Sequence, residues 1–274
     1  MLNKKTLHSY NIEFKDKGYI VLKNIFDKKI IKEFCKSLAY LINASNVRGI
    51  KIKNIKLKKF DILKKEVLLN LLKLEKKDHN HIKIIYDTLR DLNITDKIFN
   101  NYKITKVIYN LLGLSEDIPI YVKQKACRID MPKNTDFSLD WHQESPYTIK
   151  DSSLIQIWAP AIMAIKKQNG AIKVLPKSHK EGHLKTKDLF PEIGHAQYIP
   201  SKKVIKKYKT KDIEMEVGDV LLFSKFLIHK SGNNISRFPR LTLIAHYHDP
   251  IKKSFIKNFF YKGDKSIKRN TYTK

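Results

Sequence analysis

The chain has 274 residues, 42% of them hydrophobic and 10% aromatic, enough to bury a core and too apolar for a disordered polymer. Its formal charge of +28 is almost entirely lysine, because arginine stands only at Arg48, Arg90, Arg128, Arg237, Arg240 and Arg269. Phosphate-reading surfaces mix in arginine for its two-pronged grip, so the excess reads as solvated lysine surface and nucleic acid is not the expected partner.

In chain order, Gly18–Phe26 alternates as a strand and Asp27 then caps a helix reaching Ser45, with apolar residues at helical spacing. Asn46–Lys58 is basic and reads as a loop. Residues 59–115 read as helices, the last ended by Gly113. Beyond this point the character changes. Ile118–Met131, Leu154–Ala161, Ala171–Pro176, Ile213–Val217, Val220–His229 and Leu241–His248 are short β-rich runs separated by turn residues such as Asn169-Gly170 and Gly218-Asp219. The expectation is one domain over 1–274: a helical front to about 115, a β-sandwich or barrel over about 116–250, and a basic tail over 251–274. Lys180–Pro200 reads as a long connection that serves as a lid.

Cys35 and Cys127 lack CxxC spacing and read as free thiols. No apolar run is long enough to span a bilayer, and MLNKKTLHSYNIEF has no signal-peptide stretch, so a soluble cytoplasmic protein is expected. Nothing in the sequence specifies an oligomeric state.

Three pieces of the β half carry chemistry. In Trp141-His142-Gln143-Glu144, residues i and i+2 of a strand face one side, so His142 and Glu144 are expected to project together. His229 ends the run VLLFSKFLIH, and Arg240 follows a turn. Two imidazoles and one carboxylate form a facial set that leaves metal positions open for a bidentate oxo-acid and dioxygen, as in non-haem Fe(II) oxygenases. A planar guanidinium suits the far carboxylate of 2-oxoglutarate by gripping both oxygens, which nominates Arg240, helped by the hydroxyl of Ser231 or Thr242. Gln124, Gln143 and Tyr147 are candidates for substrate contact. His179, His246 and His248 read as structural. Asp140, two residues before His142, is the alternative carboxylate, and Arg237 is the alternative cation.

The sequence resembles the phytanoyl-CoA dioxygenase family from about Phe14 to about Asp249. The likeness is carried by FKDKGYIVLKNIFDKKIIKEF, WHQE where the family usually has WHQD, NGAIKVLPKSHKEG, GDVLLFSKFLIHKSGNN and RFPRLTL. It implies a double-stranded β-helix (a jelly-roll or cupin-like barrel), with Fe(II), 2-oxoglutarate and dioxygen consumed, succinate and CO2 released, and ascorbate as a candidate reductant. It assigns the metal to His142, Glu144 and His229, and the co-substrate to Arg240, Ser231 and Trp158. Glu144 in place of aspartate is the departure; because the acid is kept, halogenation is not expected. The resulting expectation is hydroxylation of an unactivated C–H bond in a small polar metabolite. Two other readings stand beside it: a zinc-dependent hydrolase, since two His and one Glu also suit Zn(II), and a catalytically silent metabolite- or sugar-binding barrel.

Overall fold

Asp27 accepts a hydrogen bond from the Ile30 N–H and so starts the first strongly amphipathic helix, Lys28–Asn43, which buries Ile31, Phe34, Cys35, Leu38, Ala39 and Ile42 along one stripe. The computed structural model describes residues 3–56, 59–134, 138–148, 153–188 and 198–253. Its helices are α1 (Lys4–Lys17), α2 (Lys28–Asn43), α3 (Phe60–Lys77), α4 (His79–Arg90), α5 (Asn93–Phe99), α6 (Tyr102–Leu112) and the short α7 (Lys202–Ile205). Gly113, at a left-handed φ of 69°, ends α6 as expected. Helix α1 is missed by hydrophobic patterning because it buries no residue fully; Asn3 caps it and Gly18 stops it. None of the described helices is long and apolar enough to cross a membrane.

The strands are β1 (Tyr19–Leu22), β2 (Tyr121–Asp130), β3 (Leu154–Pro160), β4 (Ile172–Val174), β5 (Thr186–Asp188), β6 (Tyr198–Pro200), β7 (Lys211–Ile213), β8 (Val220–Ser224), β9 (His229–Lys230) and β10 (Arg240–His248). Five of them form an antiparallel sheet in the order β1-β8-β3-β10-β2, and three form a second sheet, β7-β4-β9. This is the expected mainly-β architecture with a helical buttress. Within the expected lid, β5 and β6 pair with each other, while residues 189–197 lie outside the described residues, as do residues 254–274 of the tail.

The period-2 alternation of the large sheet sorts its side chains between two layers. Ile20, Leu22, Ile155, Ile157, Ala159, Leu222, Leu241, Leu243, Ala245 and Tyr247 pack with Phe34, Leu38, Leu63, Leu71 and Phe99 of the helices. Tyr19, Trp158, Leu221 and Phe223 face the other way and meet Ile172, Val174 and Ile213 of the small sheet. The large sheet is therefore covered on both faces, which is why β3 is buried along its whole length. Facing the small sheet, the inner side of β10 carries Arg240, Thr242, His246 and His248 with Ile244 among them, a largely polar series inside an apolar shell.

One expectation is corrected. Val220–His229 reads as a continuous strand but is two strands in different sheets. A turn at residues 224–227, held by Leu227 N–H to the Ser224 carbonyl and Phe226 N–H to the Ser224 hydroxyl, carries the chain from β8 across to β9. The apolar pattern continues through the turn because Leu227 and Ile228 are both fully buried, so hydrophobicity alone does not mark the break.

Tyr247 ties the sheet to the helices. It is fully buried, and its hydroxyl donates to the Phe99 carbonyl at 2.7 Å. Tyr247→Phe leaves that carbonyl unsatisfied, with an expected loss of about 1–3 kcal/mol in urea-unfolding free energy. An unchanged urea midpoint would show that the hydrogen bond adds nothing to the docking of the helices.

Candidate metal centre

Two backbone hydrogen bonds set the site. The His142 N–H donates to the His229 carbonyl at 2.9 Å, and the His229 N–H returns to the His142 carbonyl at 3.0 Å. This antiparallel bridge puts the two rings side by side, with centroids 4.2 Å apart. The pairing continues where the Ser231 N–H meets the Leu139 carbonyl. Each ring is oriented locally: His142 Nδ1 lies 2.6 Å from the Asp140 carbonyl, and His229 Nδ1 lies 2.9 Å from the Leu227 carbonyl. Carbonyls only accept, so both Nδ1 atoms carry the proton and both Nε2 lone pairs are left to converge.

They converge on Glu144. Its Oε1 lies 3.5 Å from His142 Nε2 and 3.3 Å from His229 Nε2. One ligand atom from each of the three buried residues falls within 4.8 Å of the others, and this is the sole metal-type cluster of His, Cys and acidic residues among the described residues. Burial pushes the Glu144 carboxyl up, but the enclosing His142, His229 and His246 side chains outweigh it and hold the group well below the usual carboxylate range. Burial and the neighbouring His142 lower His229. A carboxylate beside two imidazole nitrogens is a donor set that suits a divalent first-row metal.

The route to this arrangement differs from the expected one. His142 makes a single bridge and Glu144 is not on a strand: its backbone is helical, at φ −73° and ψ −19°, and leads into the turn Ser145–Tyr147. Strand alternation therefore does not bring His142 and Glu144 together. The turn brings the Glu144 carboxylate to the two rings instead. Asp140 does not substitute for it; half-exposed, it pairs with Lys230 at 3.6 Å.

The three donors open on a cavity of about 290 Å³ lined by residues that include Tyr86, Gln124, Ala126, Arg128, Tyr147, Gln156, Trp158, Ile172, Ser231, Arg240, Ile244 and His246. Gln124, Tyr147, Trp158, Ser231 and Arg240 thus share one cavity with the three donors. Gln124 has φ 53°, at the irregularity where the β2–β10 register slips between Ile244 and His246. Such a bulge re-aims side chains along the strand. Tyr147 stands edge-on to His142, and its hydroxyl accepts from the Tyr198 N–H.

Gln143 does not line this cavity, which corrects its assignment as a substrate contact. Its side chain is fully buried and satisfied elsewhere: Nε2 donates to the carbonyls of Gly182 and Phe226, and Oε1 accepts from the Leu184 N–H. It pins the start of the expected lid to the turn after β8. Thr242 is also absent from the cavity lining, and its buried hydroxyl has no partner among the described residues. The exposed Arg237 stacks on Phe238 instead of entering the site. His179 packs against Gly18 and bonds the Lys15 carbonyl, a structural role as expected.

Arg240 is only 3% exposed and its fork is largely engaged. Asp130, its register partner on β2, receives Nε at 3.1 Å and Nη2 at 2.8 Å on one oxygen; Nη1 donates to the carbonyls of Gly170 and Gly232. A two-pronged grip on an added carboxylate is therefore narrowed to Nη2. Gly170 sits at φ 92°, and a Cβ there would lie 2.7 Å from the Gly232 carbonyl and run into the guanidinium. The Asn169-Gly170 turn is the frame of the arginine.

Sequence reasoning missed His246, which was read as structural. It lines the cavity, with Nε2 3.6 Å from the second Glu144 oxygen. Arg128 and Asp130 were not nominated; Arg128 donates to Asp130 at 2.7 Å and lines the same cavity. The signal available was the alternation along β2 and β10, which places Arg128 and His246 on the inner face with Arg240.

The family model for phytanoyl-CoA dioxygenase (PhyH) matches residues 14–242. A curated relative, 1-deoxypentalenic acid 11-beta-hydroxylase of Streptomyces arenae, is 22% identical over 237 residues, covering 82% of this chain and 74% of the relative. Among solved structures, the epimerase SnoN in complex with Fe3+, alpha ketoglutarate and nogalamycin RO superposes with a TM-score of 0.59 at 14% identity, over 90% of this chain and 85% of that one. EctD from S. alaskensis with bound Fe gives a TM-score of 0.56 at 14% identity, over 88% and 75%.

Burial also holds the inner histidines of β10 neutral. It lowers His246, and it pushes His248 down to about 3, helped by His246, Lys123 and Lys225. The unfolded chain then binds protons that the folded chain refuses below the ordinary imidazole value of 6.5. Stability is expected to be fully present above that pH and to fall steadily towards pH 3, read as a lower urea midpoint at pH 5.5 than at pH 7.5. A flat profile between those two values would contradict the burial of these rings.

Proposed function

We propose that this chain, which belongs to the phytanoyl-CoA dioxygenase family of 2-oxoglutarate-dependent non-haem iron oxygenases, hydroxylates an unactivated C–H bond of a small polar metabolite. The observation that carries the reading is the convergence of His142, Glu144 and His229 within 4.8 Å in the cavity that also holds Arg240. It is supported by a curated relative that is a hydroxylase.

His142 and His229 would hold ferrous iron through Nε2 and Glu144 through its carboxylate, the three donor atoms lying within 4.8 Å of one another. Bound there, ferrous iron with 2-oxoglutarate and dioxygen would supply the oxidising power for C–H hydroxylation, with succinate and CO2 as co-products. The protein's own part is to position and to exclude water. Arg240 attracts the far carboxylate of 2-oxoglutarate through Nη2, and the Ser231 hydroxyl adds a hydrogen bond. Trp158, with the Arg240 guanidinium 6.0 Å over its ring, walls that end. Ile172, Ile244 and Ala126 add apolar surface to the cavity. The Asp130 carboxylate neutralises Arg240 when no ligand is bound, so the buried cation is never alone. Gln124 and Tyr147 are proposed as substrate contacts at the other side of the cavity.

The test is succinate formation by the anaerobically loaded protein on admitting oxygen. Iron and 2-oxoglutarate should both be required, and zinc should not replace iron; turnover with zinc would favour a hydrolase instead. Glu144→Asp is expected to keep part of the iron and part of the activity, because charge and donor type persist. Glu144→Ala and His229→Ala are expected to lose both. Arg240→Lys is expected to raise the 2-oxoglutarate requirement about tenfold, since ~1.4 kcal/mol of charge-assisted bonding corresponds to that factor. Full activity in Glu144→Ala, or an unchanged co-substrate requirement in Arg240→Lys, would remove those residues from their roles.

A further inference from the structure

Gln156 is a buried polar side chain whose hydrogen bonds the fold does not supply. It lies on β3, 4% exposed, and lines the cavity. Its Oε1 is enclosed without a partner, and no described residue bonds the amide nitrogen. Its register partner across the β3–β10 ladder is His246, also on the cavity wall and 3% exposed, with Nδ1 likewise unpartnered. Folded proteins pair the large majority of buried polar groups, so each exception calls for a physical reason. Here two exceptions are cross-strand neighbours on one face, where Cβ atoms stand about 5 Å apart. A packing role alone would be filled better by an apolar side chain, because an unmade buried hydrogen bond is destabilising.

The position of the pair separates it from the co-substrate end. Arg240 and His246 project from the same face of β10, six residues apart in number, so up to roughly 20 Å of strand lies between them before the bulge shortens it. Arg240 is framed by Asp130, Gly170 and Gly232, whereas His246 touches Glu144 at 3.6 Å. If 2-oxoglutarate is anchored at Arg240, as the proposed function requires, the organic group at Gln156 belongs to the primary substrate and sits next to the metal.

We propose that Gln156 and His246 form the seat for a hydroxyl group of the primary substrate, which is therefore an uncharged, hydroxyl-bearing molecule at this end. A carboxamide offers two donors and one acceptor and carries no charge. A hydroxyl, which both donates and accepts, satisfies it. A carboxylate or phosphate would set its oxygens against Oε1 and bring a charge that Gln156 cannot balance. The inference rests on the oxygenase reading and deepens it by naming the substrate class.

The experiment begins with a 2-oxoglutarate titration of the Fe(II)-loaded full chain under argon, read by tryptophan fluorescence. The loaded protein is then challenged with cyclohexanol, myo-inositol and methyl glucoside, and separately with cyclohexanecarboxylate and inositol monophosphate. Binding is read as a shift in melting temperature and by calorimetry. Alcohols are expected to bind and the anions not. Gln156→Met, close in volume and without the amide, is expected to fold with an equal or higher melting temperature, to bind 2-oxoglutarate as before, and to bind the alcohols about tenfold more weakly, the effect of one lost buried hydrogen bond. His246→Phe should weaken the same alcohols. Undiminished alcohol binding in Gln156→Met, preference for the anions, or no binding of either class overturns the seat. Loss of 2-oxoglutarate binding in Gln156→Met also overturns it and moves the residue to the co-substrate. A wild-type chain that fails the first titration sinks the oxygenase reading itself, which is a separate outcome.

Discussion

The reciprocal hydrogen bonds between His142 and His229 carry the candidate site, because they join segments that are distant in the chain and make two imidazoles neighbours. Everything around the bridge protects its geometry. Ser178 accepts the Ile228 N–H, and the Leu175 N–H donates to the Ile228 carbonyl, so the residue before His229 is clamped on both sides. The carbonyls of Asp140 and Leu227 each take an Nδ1 proton from the histidine two residues on, which fixes ring rotation without any remote partner. The PKSH and WHQE segments are thus parts of one mechanical unit, and the bridge is what both of them serve.

The burden that this unit places on the fold is electrostatic. A carboxylate, three imidazoles and an arginine are all held within a few per cent of full burial. Unpaired, such groups would each be expensive, and the protein pairs them: Glu144 with the imidazoles, Arg240 with Asp130 and two carbonyls. The stiffness comes from the other face of the same strands. Leu241, Leu243, Ala245 and Tyr247 lock β10 to the helical layer, so the alternate residues Arg240, Ile244 and His246 are presented to the cavity on a support that cannot rotate. The helices contribute one residue, Tyr86, to the cavity wall; their main function is to hold the large sheet still.

Much of this was legible in the chain. Asp27, whose carboxylate accepts the Ile30 N–H, and Gly113, whose left-handed φ stops α6, act locally, so the helices from α2 to α6 and most strands follow from local pattern, and the three donors from pattern together with the family resemblance. The sites of failure share a cause. Glu144 is brought to His142 by a turn, not by strand alternation; the run Val220–His229 breaks between two sheets while staying apolar; Gln143 sits within the metal motif yet points to the backbone of Gly182 and Phe226. None of these is a property of residue type. Each depends on which distant backbone lies opposite, and only the tertiary structure decides that. The same holds for Arg240, whose charge was evident in the sequence while its engagement by Asp130 was not, and for Gln156 and His246, which become informative only once packing reveals that Gln156 Oε1 and His246 Nδ1 have no partner among the described residues.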